Sequence, residues 1–305
     1  MITEEIPALL AGERIDRVVA LLAEVSRSEA VRLIDAGAVT LAGNAVTAGK
    51  QRAATGDVIV IDTSFITMPE PPSGDDSVVF EVLHADEHLI VVDKPSGLVV
   101  HPATGNETGT LVNGLLARFP EIASVGEEGR PGIVHRLDGG TSGLLTVARS
   151  EAAYAVLTEM LRDHTIQRVY DTLVWGVPAV GTGTIDAPIG RDQRNPLQMA
   201  VVGTGKPART HYKVEFGYDS PSVARLTCEL ETGRTHQIRV HLAAVGHPVV
   251  GDTMYGDRRT TLGLRRPFLH ARRLAFAHPI TGTSMEFTSP RPDDLQAVLD
   301  ELARG

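Results

Sequence analysis

The 305-residue sequence predicts an α+β protein: a small N-terminal α/β module, then a larger domain built on a mixed, largely antiparallel sheet. Three observations lead there. Two helix-like segments and three short strands crowd into residues 14–62. From Val78 onward strand-like runs dominate, and helical periodicity interrupts them only a few times. Between these parts lies "TSFITMPEPPSGDDS", whose prolines, serines and acids read as a linker. The expected boundaries are 1–62, 63–77 and 78–305.

Taken in order, "ERIDRVVALLAEV" spaces Ile15, Val18, Val19 and Leu22 along one helical face. "SRSEAVRLIDAG" reads as a second helix, with Ser26 and Glu29 at capping-box spacing and Gly37 as its stop. "AVTLAGNAVTAG" reads as two strands around a Gly43–Asn44 turn, and "GDVIVID" as a closing strand. In the larger domain "SVVFEVLHAD", "HLIVVDKP", "PGIVHRLD" and "SGLLTVARS" suit strands, as does "QRVYDTLVWG" with Tyr170 between Val169 and Asp171. "TLVNGLLARFP" and "SEAAYAVLTEMLRDHT" suit helices, the second capped by Ser150. "THQIRVHLAAVGHP" is a third helix, with Thr235 as N-cap, Ile238, Leu242 and Val245 as its apolar stripe, and Gly246 as its stop.

Composition narrows the class. Hydrophobic content of 42% and charged content of 22% suit a soluble globular protein with a real core. The apolar runs are too short to cross a bilayer, and the acidic start "MITEEIPALLAGER" does not resemble a secretory signal. One cysteine, Cys228, cannot form an internal disulfide, so a cytoplasmic location is expected; its alternating surroundings "ARLTCEL" mark it as a packed strand residue. The net charge is −9, yet residues 131–292 carry 19 Lys/Arg against 14 Asp/Glu. A basic cleft on an acidic protein is therefore permitted, which is what polyanion binding requires.

The chemistry-bearing stretch is "HRLDGGTSG", residues 135–143. Asp138 should sit on a loop between two strands. It is either the acid of an Asx-type turn or a reactive carboxylate that a bulky substrate approaches across small residues. Arg136, two positions earlier, favours the second reading, because a neighbouring cation orients a carboxylate and favours its charged form. Arg234, His236 and Arg239 cluster where the third helix should begin, a good place for an anion. His236 and His241 stand five apart and face different ways, so no metal site is expected. Glycine-rich "TGTIDAPIG" fits neither the phosphate-loop nor the dinucleotide pattern. Tyr170 taken alone is a core aromatic.

Together, "VVDKPSGLVVHPATGNETGTLVNGLL", "RPGIVHRLDGGTSGLLTVARS", "GRTHQIRVHLAAVGHPVVGDTMYG" and "LHARRLAFAHPITG" resemble the successive motifs of the RluA-type pseudouridine synthases. The "GN…GTLVN" element is most similar to the type D branch, which modifies large-subunit ribosomal RNA. "SRSEAVRLIDAGAVTLAGNAV" resembles the small RNA-binding domain first described in ribosomal protein four of the small subunit. The resemblance implies the pseudouridine synthase fold and a cofactor-free isomerisation of uridine to pseudouridine in RNA, by a cytoplasmic monomer with no membrane partner. It assigns Asp138 as the essential aspartate, leaving open attack on the ribose, attack on the base or abstraction of a sugar proton. Tyr170 matches the tyrosine that stacks on the uracil and can serve as a base. Arg239 matches the basic partner of the aspartate, with Arg234 as second claimant. Arg136 matches the residue that fills the gap left by a flipped base, since a stacked nucleotide cannot present both faces of its glycosidic bond. His135, Thr141 and Arg234 are expected at the substrate. Arg17, Arg27 and Arg32 are either phosphate contacts or solvated helix charges.

In one place the chain departs from pattern. Gly139 and Gly140 stand where relatives carry a basic and then an acidic or amide residue, which predicts a more mobile loop. That pair supports an alternative: a catalytically weak or inactive RNA-binding or ribosome-assembly protein that has kept the fold.

Overall fold

The computed structural model describes residues 1–25, 27–65, 71–102, 106–195, 198–256 and 259–304, and the chain divides into two units, Met1–Glu70 and Pro71–Gly305. Ser26 of the expected capping box, residues 66–70 of the expected linker and Gly105 of the "GNETGT" segment lie outside the described residues.

The first unit runs β1 (Ile2–Glu5), α1 (Ile15–Leu22), α2 (Arg27–Asp35), β2 (Val39–Leu41), β3 (Asn44–Ala45) and β4 (Val58–Ile61). Ile15, Val18 and Val19 of the helical stripe are buried against Leu33 and Ile34 of α2 and Ile59 and Ile61 of β4. The four strands lie in the order β1-β4-β2-β3. β1 escaped the sequence reading because its partner lies at the far end of the unit, with Ile2 opposite Ile61. The hairpin turn also differs. Leu41 pairs with Asn44, so the turn residues are Ala42 and Gly43, with φ of 48° and 77°. Positive φ at both positions matches the twist of a two-residue hairpin, and Asn44 is already strand.

The second unit begins with β5 (Glu81–Ala85), β6 (Leu89–Lys94), α3 (Leu111–Arg118), β7 (Ser142–Ala148) and α4 (Glu151–Arg162). β8 (Gln167–Trp175), β9 (Thr182–Asp186), β10 (Ile189–Arg191), β11 (Met199–Val201), β12 (Arg209–Asp219) and β13 (Ser222–Leu230) follow. It closes with α5 (Gln237–Ala244), β14 (Leu269–Ala277), β15 (Ser284–Thr288) and α6 (Asp293–Leu302). The main sheet has the order β5-β6-β7-β14-β8-β13-β12-β9, with β15 also on β14. Among the described residues β7 and β14 run parallel and the other pairings of this sheet are antiparallel, so the sheet is mixed and largely antiparallel. Ser150 caps α4 by accepting the Ala153 amide, and Cys228 is fully buried in β13. Ser73 and Asp75 are already fastened to this unit: Asn113 Nδ2 donates to the Ser73 carbonyl, and the Asp75 amide to that of Asn113.

Two elements correct the sequence reading. "PGIVHRLD" is not a strand: Ile133 makes an isolated bridge with Val147, and the rest is irregular. β6 occupies one edge of β7 throughout, and β14 takes the other edge at Ser142 and Gly143, leaving no continuous partner. The N-cap of α5 is His236 in the left-handed region, φ 58°, rather than Thr235. The Gln237 side chain satisfies the neighbouring donors instead, its Oε1 accepting from the Arg234 amide and the Thr232 hydroxyl. α5 ends at Ala244, so Val245, 46% exposed, leaves the apolar stripe while Ile238 and Leu242 stay buried.

Candidate active site

The site forms where β7, β14 and β8 lie side by side. The parallel contact needs a residue without a side chain: a Cβ on Gly143, at φ 112°, would stand 2.3 Å from the Ala271 carbonyl oxygen. Just before it the chain turns, the Thr141 amide donating to the Asp138 carbonyl at 3.0 Å. The glycines of this turn are tied down rather than loose. The Gly139 oxygen accepts from the Gly97 amide at 2.8 Å and from Lys94 Nζ at 3.3 Å, and the Gly140 oxygen from the Ser96 hydroxyl at 3.1 Å. Lys94, fully buried at the end of β6, also donates to the carbonyls of Pro95 and Leu98, which uses all three ammonium donors. Burial pushes its pKa down to about 7, with the negative charge of Asp138 opposing.

The Asp138 carboxylate is not spent on its own turn. Arg239 Nη1, from α5, donates to its Oδ2 at 3.1 Å. Arg239 is itself gripped by buried Asp252, Nε to Oδ2 at 2.6 Å and Nη2 to Oδ1 at 3.0 Å. A planar guanidinium can bridge two acids in this fixed way, where an ammonium cannot. The Tyr255 ring lies 5.0 Å from the guanidinium, and its hydroxyl is 2.8 Å from His236 Nδ1. His236 Nε2 stands 4.0 Å from Asp138 Oδ1, and burial lowers the imidazole pKa against the pull of Asp138. Arg136, the cation next to Asp138 in sequence, is exposed and makes no ion pair with it; the partner comes from 101 residues away.

Tyr170, on β8 and 4% exposed, walls the cleft in front of Asp138 together with Thr141, Arg136, Arg168, Arg234 and His236. Burial raises its phenol pKa, and Arg168 works the other way. The cleft holds about 50 Å³, room for a water or two. Thr141 is 2% exposed, and Arg234 is anchored by Nε to the Pro207 carbonyl at 2.9 Å. His135 does not line this cleft. Its Nε2 accepts the Thr146 amide at 3.1 Å, and burial pushes its pKa down to about 3, so it is a neutral brace beneath β7. On the first unit Arg17 pairs with Glu13 at 3.1 Å and Arg32 with Glu29 at 3.8 Å. Arg27 meets Asp16 at 3.0 Å, and Arg14, which sequence reasoning passed over, meets the same carboxylate at 2.7 Å.

Sequence reasoning also missed Asp252, Tyr255, Arg168 and Lys94. Asp252 and Tyr255 lie in "GDTMYG", whose glycine-flanked acid and aromatic were a signal without an address, since nothing local says that they meet Arg239. Lys94 follows a run of five apolar or strand residues, where a lone lysine is a signal of burial with a purpose.

Known proteins resemble this chain over nearly its whole length. The family model for RNA pseudouridylate synthase matches residues 88–244, and the S4 domain model matches residues 13–59. An uncharacterized RNA pseudouridine synthase of Chloroflexus aurantiacus is 47% identical over 301 residues, covering 97% of this chain and 92% of that one. Ribosomal large subunit pseudouridine synthase D of Pseudomonas aeruginosa is 41% identical, covering 98% of this chain and 94% of that one. The solved structure of human RNA pseudouridylate synthase domain containing 1 is 28% identical with a TM-score of 0.58, covering 74% of this chain and 94% of that one.

Proposed function

Because this chain belongs to the RNA pseudouridylate synthase family, carries an S4 domain and isomerises uridine in RNA, we propose that its substrate is large-subunit ribosomal RNA and that Asp138 is the reactive carboxylate. The reaction breaks the C1′–N1 bond of uridine, turns the uracil over and forms a C1′–C5 bond; C5 loses its proton to solvent and N1 takes one up. The observation that carries the assignment is the Asp138–Arg239–Asp252 chain at a cleft walled by Tyr170. A carboxylate fixed by a guanidinium, itself fixed from behind, is preorganised for a reacting sugar or base.

The other groups take roles around it. Tyr170 is the platform on which the uracil stacks; burial keeps its proton on at neutral pH, which suits stacking better than base catalysis. Thr141 and Arg234 border the bound nucleotide, while His135 holds the strand beneath it. Exposed Arg136, at the wall of the cleft, takes the place of the flipped base in the RNA stack. Residues 1–62 bind RNA, with Arg17, Arg27 and Arg32 at phosphates, 63–77 join the parts, and 78–305 carry catalysis. We place the enzyme in the cytoplasm as a monomer. A single cysteine cannot form an internal disulfide, which suits a reducing compartment; Cys228 is buried with its thiol pushed up to about 12, and no helix among the described residues is long and apolar enough to cross a membrane. The non-catalytic alternative rested on a loose Gly139–Gly140 loop, and that loop is anchored on both carbonyls.

Tritium release from ribosomal RNA labelled at uracil C5 tests the proposal. The wild type should release tritium and Asp138→Asn should not, with unchanged thermal unfolding. Pseudouridine mapping of ribosomal RNA from a strain lacking the protein should show the missing sites restored by the wild type alone. Turnover by Asp138→Asn would remove that residue from the reaction.

A further inference from the structure

Beside the Asp138 cleft lies a second cavity of about 590 Å³, and the two share Arg136, Arg168, Gly233 and Arg234 as walls. The first cleft contains an acid. The second is lined by Arg130, Arg136, Arg162, Arg168 and Arg234, with His164 beside them and no carboxylate among its described lining residues. Arg130 and Arg162 pair with Glu127 and Glu159, both at 2.9 Å, on the surface. Pairs so exposed are worth little and yield to a better anion.

Arg168 is different. It is 6% exposed, its Nη2 donates to the carbonyls of Leu230 and Glu231, and its buried Nε has no partner. A buried guanidinium without a carboxylate is costly, and a neutral side chain would fill the same space more cheaply. Its surroundings keep it reachable: a Cβ on Gly233 would stand 2.9 Å from Arg168 Nη1, so that wall is left bare.

We propose that this cavity is a second nucleotide subsite, which takes the phosphodiester and the unstacked nucleotide adjoining the flipped uridine. The proposal rests on the RNA reading above and adds a requirement to it. The volume lies in the range of small-ligand sites, and forked guanidinium donors match phosphate oxygens. Because Arg168 and Arg234 face both cavities, the linking phosphate sits where they meet. A paired strand could not present its backbone there, so the target uridine needs at least one unpaired neighbour.

The test is fluorescence anisotropy of labelled decauridylate against the full chain at several salt concentrations, with Arg168→Gln and the double variant Arg130→Gln/Arg162→Gln. Each lost phosphate contact should flatten the logarithmic salt slope by about 0.7, with roughly tenfold weaker binding at low salt. The double variant alters side chains 53% and 70% exposed, so it decides the matter even where Arg168→Gln fails to fold. Slopes and affinities equal to wild type in the folded variants overturn the proposal. So does inorganic phosphate competing as well as decauridylate at matched ionic strength, which would mark an adventitious ion only. Tritium release is scored separately: flattened slopes in the variants, alongside a wild type that forms no pseudouridine, would end the reading of the reaction and keep the subsite.

Discussion

Replacing Asp252 by asparagine removes the support behind the reactive carboxylate while keeping its shape. Asp252 is 4% exposed, and besides its two bonds to Arg239 its Oδ1 accepts the Met254 and Tyr255 amides at 2.9 and 3.2 Å. In Asp252→Asn one terminal atom becomes a donor facing donors, and the negative charge is gone. Arg239, 8% exposed, keeps Asp138 as its remaining acidic partner. Breaking one side of a buried ion pair costs about 3–5 kcal/mol. The Coulomb attraction of such a pair at about 4 Å, with an effective dielectric near 20, is about 4 kcal/mol and agrees. At about 2–4 °C per kcal/mol for a domain of this size, Tm should fall by roughly 6–20 °C. Freed from Asp252, Arg239 shifts toward Asp138 and turns that carboxylate; a displacement of about 1 Å costs roughly a hundredfold in rate. RNA affinity should change far less than the rate, because among the cleft walls only the Asp138 carboxylate is turned, and Tyr170, Arg168 and Arg234 stay in place. Single-turnover tritium release and thermal unfolding followed by circular dichroism read both quantities. A variant with wild-type rate and Tm would refute the idea that Asp252 positions Arg239.

Four further expectations follow from the turn around Asp138 and the strand that leaves it. Lys94→Met leaves the Pro95 and Leu98 carbonyls without this donor, while the Gly139 oxygen keeps the Gly97 amide, and should lower both stability, by about 2–4 kcal/mol, and turnover; equal Tm and rate would show that the clamp is dispensable. The Lys94 pKa in the folded state, about 7, lies below the ordinary lysine value. Below pH 7 both states hold the proton and the burial penalty is complete; between about 7 and 10 only the unfolded chain holds it, so the wild type should gain stability relative to Lys94→Met as pH rises through that window. Urea unfolding of both proteins across that range would expose a flat difference if the reasoning is wrong. Gly139→Ala should raise stability by about 0.4–1 kcal/mol with activity retained, because its backbone is not left-handed and the new Cβ meets only Val99 at 3.5 Å. Gly143→Ala should do the opposite, because its Cβ would collide with the Ala271 backbone; a folded variant with normal Tm would contradict the close β7–β14 contact.

By itself the sequence determined what local chemistry can encode. The helical spacing of Ile15, Val18 and Val19, the Ser150 cap, the alternation around Cys228 and the ordered motifs around Asp138 all survive in the structure. These signals span a turn or a strand, and their physics is short-ranged. Where pairing or charge reached across the chain, sequence was silent or misleading. "GIVHRL" alternates like a strand but makes only one isolated backbone bridge, Ile133 to Val147, on the edge of β7 that β14 leaves free, and β1 is a strand only because β4 returns to meet it. Arg136 is the nearest cation to Asp138 along the chain, yet Arg239 holds the carboxylate and Asp252 holds Arg239. Gly139 and Gly140 looked like freedom and are fixed through carbonyl oxygens, which every residue has and no sequence displays. Which acid meets which base depends on the packing of β7, β14, β8 and α5. That information belongs to the tertiary structure, because electrostatic and hydrogen-bond partners are chosen by distance in space rather than along the chain.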